Sequence, residues 1–145
     1  MASNSAEVRI IRGLIDDWYA ALGRGDAAGL AAAYADDVVA AGLAPPLWTR
    51  GKHKYIENMK GWFSTFAEPL KGEPEELSIV AGDSVAFVNG FSHIVGKKKD
   101  GAVMDLRARL TLCFEKAAGK WLVVTEHASV PFDMQNYKPL ISLKE

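Results

Sequence analysis

The sequence predicts an α+β fold in which three N-terminal helices pack on a curved antiparallel sheet and enclose a pocket. In the first half of the chain, apolar residues recur every three or four positions, as in amphipathic helices. From Glu75 onward the pattern changes to the strand period of two. Connectors of hairpin length at 97–101 and 116–120 favour antiparallel neighbours. Helices followed by such a meander are typical of the α+β class.

The first helix is predicted from apolar residues at helical spacing: Val8, Ile11, Ile15, Trp18 and Leu22. The glycine-rich stretch from Gly23 ends this helix, because glycine is a poor helix former. Asp26 is then placed to cap a short second helix over 27–34.

A first strand is predicted over 38–41, followed by a loop over 42–50. The third helix carries the apolar residues between Tyr55 and Phe66 and ends before Pro69. Four strand candidates follow, at about 77–80, 84–95, 103–114 and 121–130.

Two pairs set the predicted strand registers, Glu115 opposite Trp121 and His93 opposite Asp105. Since side chains alternate between the two faces of a sheet, even-numbered residues then share the helix-facing side. These residues are Val88, Gly90, Ser92, Leu106, Ala108, Leu110, Leu112, Phe114, Leu122, Val124, Glu126, Ala128 and Val130. The outer side holds Phe87, Asn89, Phe91, His93, Asp105, Arg107, Arg109, Thr111, Thr125, His127 and Ser129.

Length and composition favour one domain over residues 1–145, with a core at about 8–132 and a tail over 133–145. The 17 basic and 18 acidic residues nearly cancel, which disfavours a nucleic-acid partner. Cys113 is the sole cysteine, so neither an intrachain disulfide nor a Cys-based zinc site is expected. Without a signal-peptide pattern or an apolar run of ~20 residues, we expect a soluble, cytoplasmic protein with no membrane partner.

Several stretches resemble the superfamily of nuclear transport factor two, ketosteroid isomerase and the SnoaL-like polyketide cyclases. They are WYAALGRGD at 18–26, YADDVV at 34–39, RGK to WF at 50–63, RLT at 109–111, GKW at 119–121 and EHASVPF at 126–132. The resemblance implies a cone-shaped, cystatin-like roll in which the sheet wraps round a long helix. It also implies a largely apolar pocket, open at one end, and usually a homodimer.

The resemblance does not transfer one activity, because the superfamily holds enzymes and non-enzymes. The general-base Asp of ketosteroid isomerase corresponds to about Gly42, and its oxyanion-hole Tyr to Trp18. Its protonated Asp corresponds to about Leu110. None of these catalytic residue types is matched, so steroid isomerisation by that mechanism is not expected.

Glu126 is the leading candidate for an acid/base residue. On the helix-facing side it lies near the small residues Gly90 and Ser92, which leave space for a cavity. Desolvation raises the pKa of a carboxyl group toward the range useful for proton transfer. The alternative is a structural carboxylate that bonds to Tyr19, Tyr34 or a backbone amide.

His127 and Arg109 form a second group, on the opposite side of the predicted sheet. His127 is a candidate base oriented by Asp105, or a partner of Arg109 in binding an anion. The alternative is a polar network at a dimer interface, where mutual hydrogen bonds fix the register. That alternative predicts a homodimer through the outer sheet face.

Aromatic residues are expected to shape the pocket. Trp18 and Trp62 would line it, with Tyr19, Tyr34 and Ser92 as polar groups.

Trp48 lies in a proline-bounded loop that this fold would put near the mouth. It is either a lid for a planar ligand or a staple that holds the loop down.

Together these residues favour an acid/base enzyme of the isomerase, cyclase or dehydratase type, acting on a small hydrophobic carbonyl compound. No cofactor is expected, and the three dispersed histidines do not have metal-ligand spacing. The alternative is a non-catalytic module of the same fold that binds a small molecule or assembles as a dimer.

Overall fold

The computed structural model describes residues 3–144 and confirms the α+β class. The elements are α1 (Ser5–Arg24), α2 (Ala27–Leu30), β1 (Tyr34–Ala41), β2 (Thr49–Arg50), α3 (Lys52–Phe63), β3 (Lys71–Ala81), β4 (Val85–Lys97), β5 (Val103–Ala117) and β6 (Lys120–Ser129). The strands form a curved, unclosed sheet in the order β2-β1-β6-β5-β4-β3, and the helices pack on it as a cone. Because β1 and β6 run parallel, the sheet is mixed, and the prediction of an antiparallel sheet is wrong at this pair.

The caps of α1 follow from the sequence. The Asn4 side chain accepts hydrogen bonds from the backbone amides of Ala6 and Glu7, which satisfies two free donors of the first turn. Gly25 ends the helix with φ 65°, a conformation that glycine adopts without a Cβ penalty. Asp26 caps α2 as predicted, since its side chain accepts from Gly29 N at 2.9 Å.

Several predicted boundaries are wrong because pairing between distant strands overrides local pattern. Helix α2 ends at Leu30, and Tyr34 begins β1 opposite Val123 of β6. Strand β3 has 11 residues rather than four, because it pairs along β4 from Lys71 onward. Phe66 lies beyond α3, in an isolated bridge.

The predicted register of β4 and β5 is wrong by two residues. His93 lies opposite Arg107 rather than Asp105, because pairing in this hairpin continues to Lys97 and Val103. An even shift leaves every side chain on its predicted face. Ser92 therefore still faces the helices.

The hairpin of β5 and β6 contains a bulge that the sequence does not predict. Glu115 lies opposite Leu122 rather than Trp121, and the register shifts again at Val124, which has no partner on β5. An extra residue of this kind reverses the alternation of side chains beyond it.

The bulge changes which side chains of β6 are buried. Before it, Trp121 and Val123 face the core, with 4% and 3% of their surfaces exposed. The placement of Leu122 and Val124 on the helix-facing side is therefore wrong. Beyond the bulge, Glu126 faces the helices as predicted.

The core lies between the helices and the concave side of the sheet. Its largest fully buried side chains are Phe114, Ile11, Leu22, Leu30, Val38 and Val88. At the start of α1, Glu7 accepts hydrogen bonds from Lys116 Nζ at 2.8 Å and from the Trp121 indole, which ties this helix to the β5–β6 hairpin. Between residues 3 and 144, the helices do not combine the length and apolar character that crossing a membrane requires.

Candidate functional site

A cavity of about 170 Å³ lies between α1, the segment around α2 and the concave side of the sheet. Most of its wall is apolar, and the main contributors are Leu14, Leu30, Leu110, Leu112, Phe114 and Val123. A concave, mostly apolar site with a few polar groups is typical of small-molecule binding.

Five of the residues singled out in the sequence line this cavity. Helix α1 contributes the adjacent residues Trp18 and Tyr19, from its C-terminal half. The strands β1, β4 and β6 contribute Tyr34, Ser92 and Glu126. Residues between 18 and 126 in the chain thus meet at one site.

Two predicted pocket aromatics are not part of the cavity wall. Trp48 is 55% exposed, and its indole lies 5.5 Å from the guanidinium of Arg50. Trp62 packs against the rings of Phe63 and Phe66. The structure places both tryptophans away from the group around Glu126.

Arg109 and His127 lie on the outer face of the sheet. Arg109 Nε donates to Ser129 Oγ at 3.2 Å, and His127 lies opposite Thr111 in the β5–β6 ladder. Both side chains belong to exposed residues that do not line the cavity.

Glu126 supplies the carboxyl group that lies inside the cavity. Its Oε1 accepts a hydrogen bond of 2.6 Å from the Tyr34 hydroxyl. Burial raises the pKa of Glu126, and the hydrogen bond from Tyr34 offsets part of this effect. Within the described residues, no Lys, Arg or His side chain lines the cavity to favour the charged form. Such a carboxyl group keeps its proton to a higher pH than an exposed one, which suits it to proton transfer.

A chain of hydrogen bonds holds this carboxyl group in place. The Trp18 indole donates to the Tyr55 hydroxyl at 3.3 Å, and Tyr55 donates to the Tyr34 hydroxyl at 3.4 Å. Burial and the nearby charge of Glu126 raise the pKa of Tyr34 and of Tyr55, so both hydroxyls stay protonated donors. The three successive hydrogen bonds therefore all run in the direction of Glu126.

Tyr55 is the residue of this network that the sequence analysis did not single out. It lies on the buried side of α3 and is 4% exposed. A tyrosine among apolar residues of a helix face signals a buried hydroxyl that needs a partner. The partner, Tyr34, could not be identified while 27–34 was assigned to a helix.

A second polar pair lies on another part of the wall. The Tyr19 hydroxyl donates to Ser92 Oγ at 2.7 Å. Burial raises the pKa of Tyr19 to about 12. The pair is neutral and is separated from Glu126 by strand β5.

Another carboxyl group lines the outer part of the cavity. Asp17 belongs to α1, next to Trp18, and is exposed, as is Ala32 after α2. Their exposure identifies this side as the mouth.

One cluster on the outer side of the sheet has the residue types of a metal site. Ligand atoms of Glu73, Glu75 and His93 lie within 4.8 Å of one another. However, Glu75 is 2.8 Å from Arg107 Nη2, and the two His93 nitrogens lie 3.2 Å from Glu75 and 2.8 Å from Asp105. Glu75 and His93 are therefore already engaged with Arg107 and Asp105, and Glu73 is exposed.

Comparison with known proteins identifies relatives of the whole fold. The family model described as the SnoaL-like domain matches residues 11–133. The structure of an NTF2-like protein of unknown function from Pseudomonas putida has 29% sequence identity and a TM-score of 0.89 over 99% of this chain and 100% of that chain. None of the curated proteins that were compared matches.

Two further structures carry names that suggest different roles for those proteins. A putative calcium/calmodulin-dependent protein kinase II association domain from Xanthomonas campestris is 26% identical, with a TM-score of 0.74 over 89% of this chain and 91% of that chain. A putative scytalone dehydratase from Novosphingobium aromaticivorans is 18% identical, with a TM-score of 0.79 over 97% of both chains. The second likeness concerns the fold alone. Together with the family match, these structures confirm the resemblance found in the sequence.

Proposed function

Because this chain belongs to the SnoaL-like domain family, we propose that it is a cofactor-independent acid/base enzyme. Its substrate is a small hydrophobic carbonyl compound, and its reaction is an isomerisation, cyclisation or dehydration. The observation that carries this proposal is the Glu126 carboxyl group, which lies in an apolar cavity with its pKa raised by burial.

In the proposed reaction, the Glu126 carboxylate removes a proton from a carbon atom next to the substrate carbonyl. The electron pair of that C–H bond forms a carbon–carbon double bond, and the carbonyl π pair moves to the oxygen, which gives an enolate. The proton then returns to another carbon, which completes an isomerisation, or to a leaving hydroxyl, which departs as water. One positioned acid/base group contributes ~10²–10⁴-fold to such a reaction.

Neutral hydroxyl groups assist this chemistry. Tyr34 donates to Glu126 Oε1 at 2.6 Å, which leaves the other carboxyl oxygen available to the substrate. The Ser92 hydroxyl is the donor for the carbonyl oxygen, and Tyr19 positions it through its own hydrogen bond to Ser92 Oγ. Trp18 and Tyr55 act as positioning residues, since they reach Glu126 only through Tyr34.

The test is hydrogen–deuterium exchange next to the carbonyl of small ketones in D₂O, followed by NMR. We expect the wild-type protein to accelerate exchange and Glu126→Gln to reduce that acceleration by about 10²–10⁴-fold. Glutamine keeps the size of the side chain and can still accept the Tyr34 hydrogen bond. His127→Gln is the matched variant, because this residue follows Glu126 but faces the other side of the sheet.

Each outcome of this comparison is decisive. Loss of exchange in Glu126→Gln alone supports the proposal, and loss in His127→Gln alone assigns proton transfer to the outer face. Equal rates in all three proteins, with folding intact, contradict the enzyme proposal.

The similarity to an association domain favours a second candidate, a non-catalytic assembly module. In either case we propose a homodimer through the outer face of the sheet. This face exposes Val85 and Phe87, 57% and 42% accessible, and it also carries the polar groups of Arg109 and His127. An apolar patch with polar groups around it is typical of an interface.

A further inference from the structure

We propose that the ligand is a neutral carbonyl compound built on a single six-membered ring with small substituents. This inference rests on the proposed function, because it names the substrate class of the same cavity. Three independent features carry it, namely the volume of the cavity, the charges on its wall and a hydrogen-bond donor.

The volume of the cavity matches about one ring. A cavity of about 150 Å³ in another protein binds benzene, and the cavity here measures about 170 Å³. The difference leaves space for a carbonyl oxygen or a methyl group rather than for a second fused ring.

The wall opposes expansion of the cavity. Leu30 and Phe114 are 1% and 2% exposed and belong to the core, so a wider ligand would have to displace close-packed side chains. Larger substituents could extend only toward Asp17 and Ala32, where the cavity meets solvent.

The charges of the wall disfavour an anionic ligand. Glu126 lies inside and Asp17 lies at the mouth, and no cationic side chain of residues 3–144 lines the cavity. A bound carboxylate would lose its hydration without gaining a cation, beside a group that carries negative charge when ionised. The same arrangement admits a neutral ketone or enone.

The Ser92 hydroxyl provides a hydrogen-bond donor for the carbonyl oxygen. Ser92 Oγ accepts the Tyr19 hydroxyl at 2.7 Å, and that bond does not use the hydrogen of Ser92 itself. A serine hydroxyl carries one donor in addition to its acceptor sites, so Ser92 can donate to a carbonyl oxygen. Strand β5 separates Ser92 from Glu126, so a ring between them presents its oxygen to one and its C–H bonds to the other.

The experiment measures dissociation constants by calorimetry for three probes. They are cyclohex-2-enone, which is neutral with one ring; benzoate, which is anionic with one ring; and 2-tetralone, which is neutral with two rings. We expect the enone to bind the wild-type protein about tenfold or more tightly than either of the others, a ratio typical of a hydrophobic pocket that discriminates by size.

Variants then separate the causes of this selectivity. Leu110→Ala shortens a partly exposed side chain of the wall. The variant should therefore reduce the ratio between the dissociation constants of 2-tetralone and the enone. Ser92→Ala should weaken the binding of the enone. Because 2-tetralone also carries a carbonyl oxygen, the ratio of the two dissociation constants should stay unchanged. Thermal melts of each variant establish that it is folded before its constants are compared.

The outcomes distinguish this inference from the proposed function. Selective enone binding without any deuterium exchange supports the proposed ligand class and contradicts the proposed acid/base activity. Binding of 2-tetralone or benzoate by the wild-type protein as tightly as the enone, or no binding of any probe, overturns the inference. Neither result decides whether Glu126→Gln abolishes proton exchange.

Discussion

At the scale of single residues, the candidate site centres on a carboxyl group whose pKa is raised by burial in an apolar cavity. From the part of the chain that the structure describes, the Glu126 side chain receives one hydrogen bond, from Tyr34, and it faces a mostly apolar cavity. In a purely structural role, a buried carboxylate would be expected to have more hydrogen bonds or an ion pair. The cavity leaves part of its hydrogen-bonding capacity free for a ligand.

The pH dependence of stability tests this interpretation. Because burial raises the pKa of Glu126 above 4.5, the folded protein binds this proton more tightly than the unfolded chain does. The contribution of Glu126 to the free energy of unfolding is therefore largest below pH 4.5 and decreases as pH rises through the folded-state pKa. Glu126→Gln lacks this decrease, so its stability relative to wild type should increase with pH.

Chemical denaturation of both proteins across that pH range is the measurement. The control is Glu115→Gln, which removes an exposed carboxyl group from the neighbouring strand and should not reproduce the trend. A constant difference between wild type and Glu126→Gln would show that the Glu126 carboxyl has the same proton affinity folded and unfolded.

At the scale of secondary-structure elements, the segment that follows α3 packs closely on the sheet. Gly96 of β4 lies beneath Phe66 and Leu70, two buried residues that follow the helix. A Cβ at this position would lie 2.8 Å from the Phe66 ring and even nearer to Leu70. The glycine is required by this close approach and not by its backbone angles.

Gly96→Ala should therefore destabilise the fold by about 1–3 kcal/mol, the usual cost of overpacking a core. Gly61→Ala is the matched control, since Gly61 lies within α3 with no atom within 4 Å of its added Cβ. There alanine should stabilise the protein by about 0.5–1 kcal/mol, because it favours the helix. Denaturant midpoints of the two variants should move in opposite directions, and a shared direction would contradict this account.

At the scale of the whole molecule, the proposed dimer predicts a mass in light scattering of twice the 15.7 kDa chain. Phe87→Asp places a charge on the apolar part of the outer face and should shift the population toward monomer. Leu47→Asp is the control, because this residue is 88% exposed in a loop outside that face. A monomeric wild-type protein would contradict the proposed interface.

The sequence predicts the fold well because its strongest signals are periodic. Helical spacing identified the buried side of α1, and period-two alternation identified the faces of β4 and β5. The assignment of side chains to the two faces stayed correct although the predicted register was wrong, since a shift of two residues preserves the alternation. The start of β1 was not predictable in the same way, because Tyr34 becomes a strand residue through parallel pairing with a segment almost 90 positions away.

The candidate site was predicted in part for the same reason. Glu126 was placed on the correct face although the register assumed for its hairpin was wrong. The assumed pairing at Glu115 is one residue away from the observed one, and the unpredicted bulge at Val124 adds a second residue. At Glu126 the total shift is two residues, which leaves this side chain on its predicted face. Tyr55 was missed because its importance arises from a contact between α3 and β1 that local patterns do not contain.

The bulge in β6 also bears on how such a protein can diversify. Glu126 and His127 are adjacent, and they present two different proton-transfer groups to opposite sides of one strand. If β6 continued in regular alternation from Val123, His127 would face the cavity and Glu126 would face outward. Evolution could thus exchange a carboxyl group for an imidazole by altering the pairing of a single hairpin, with no substitution at the site itself.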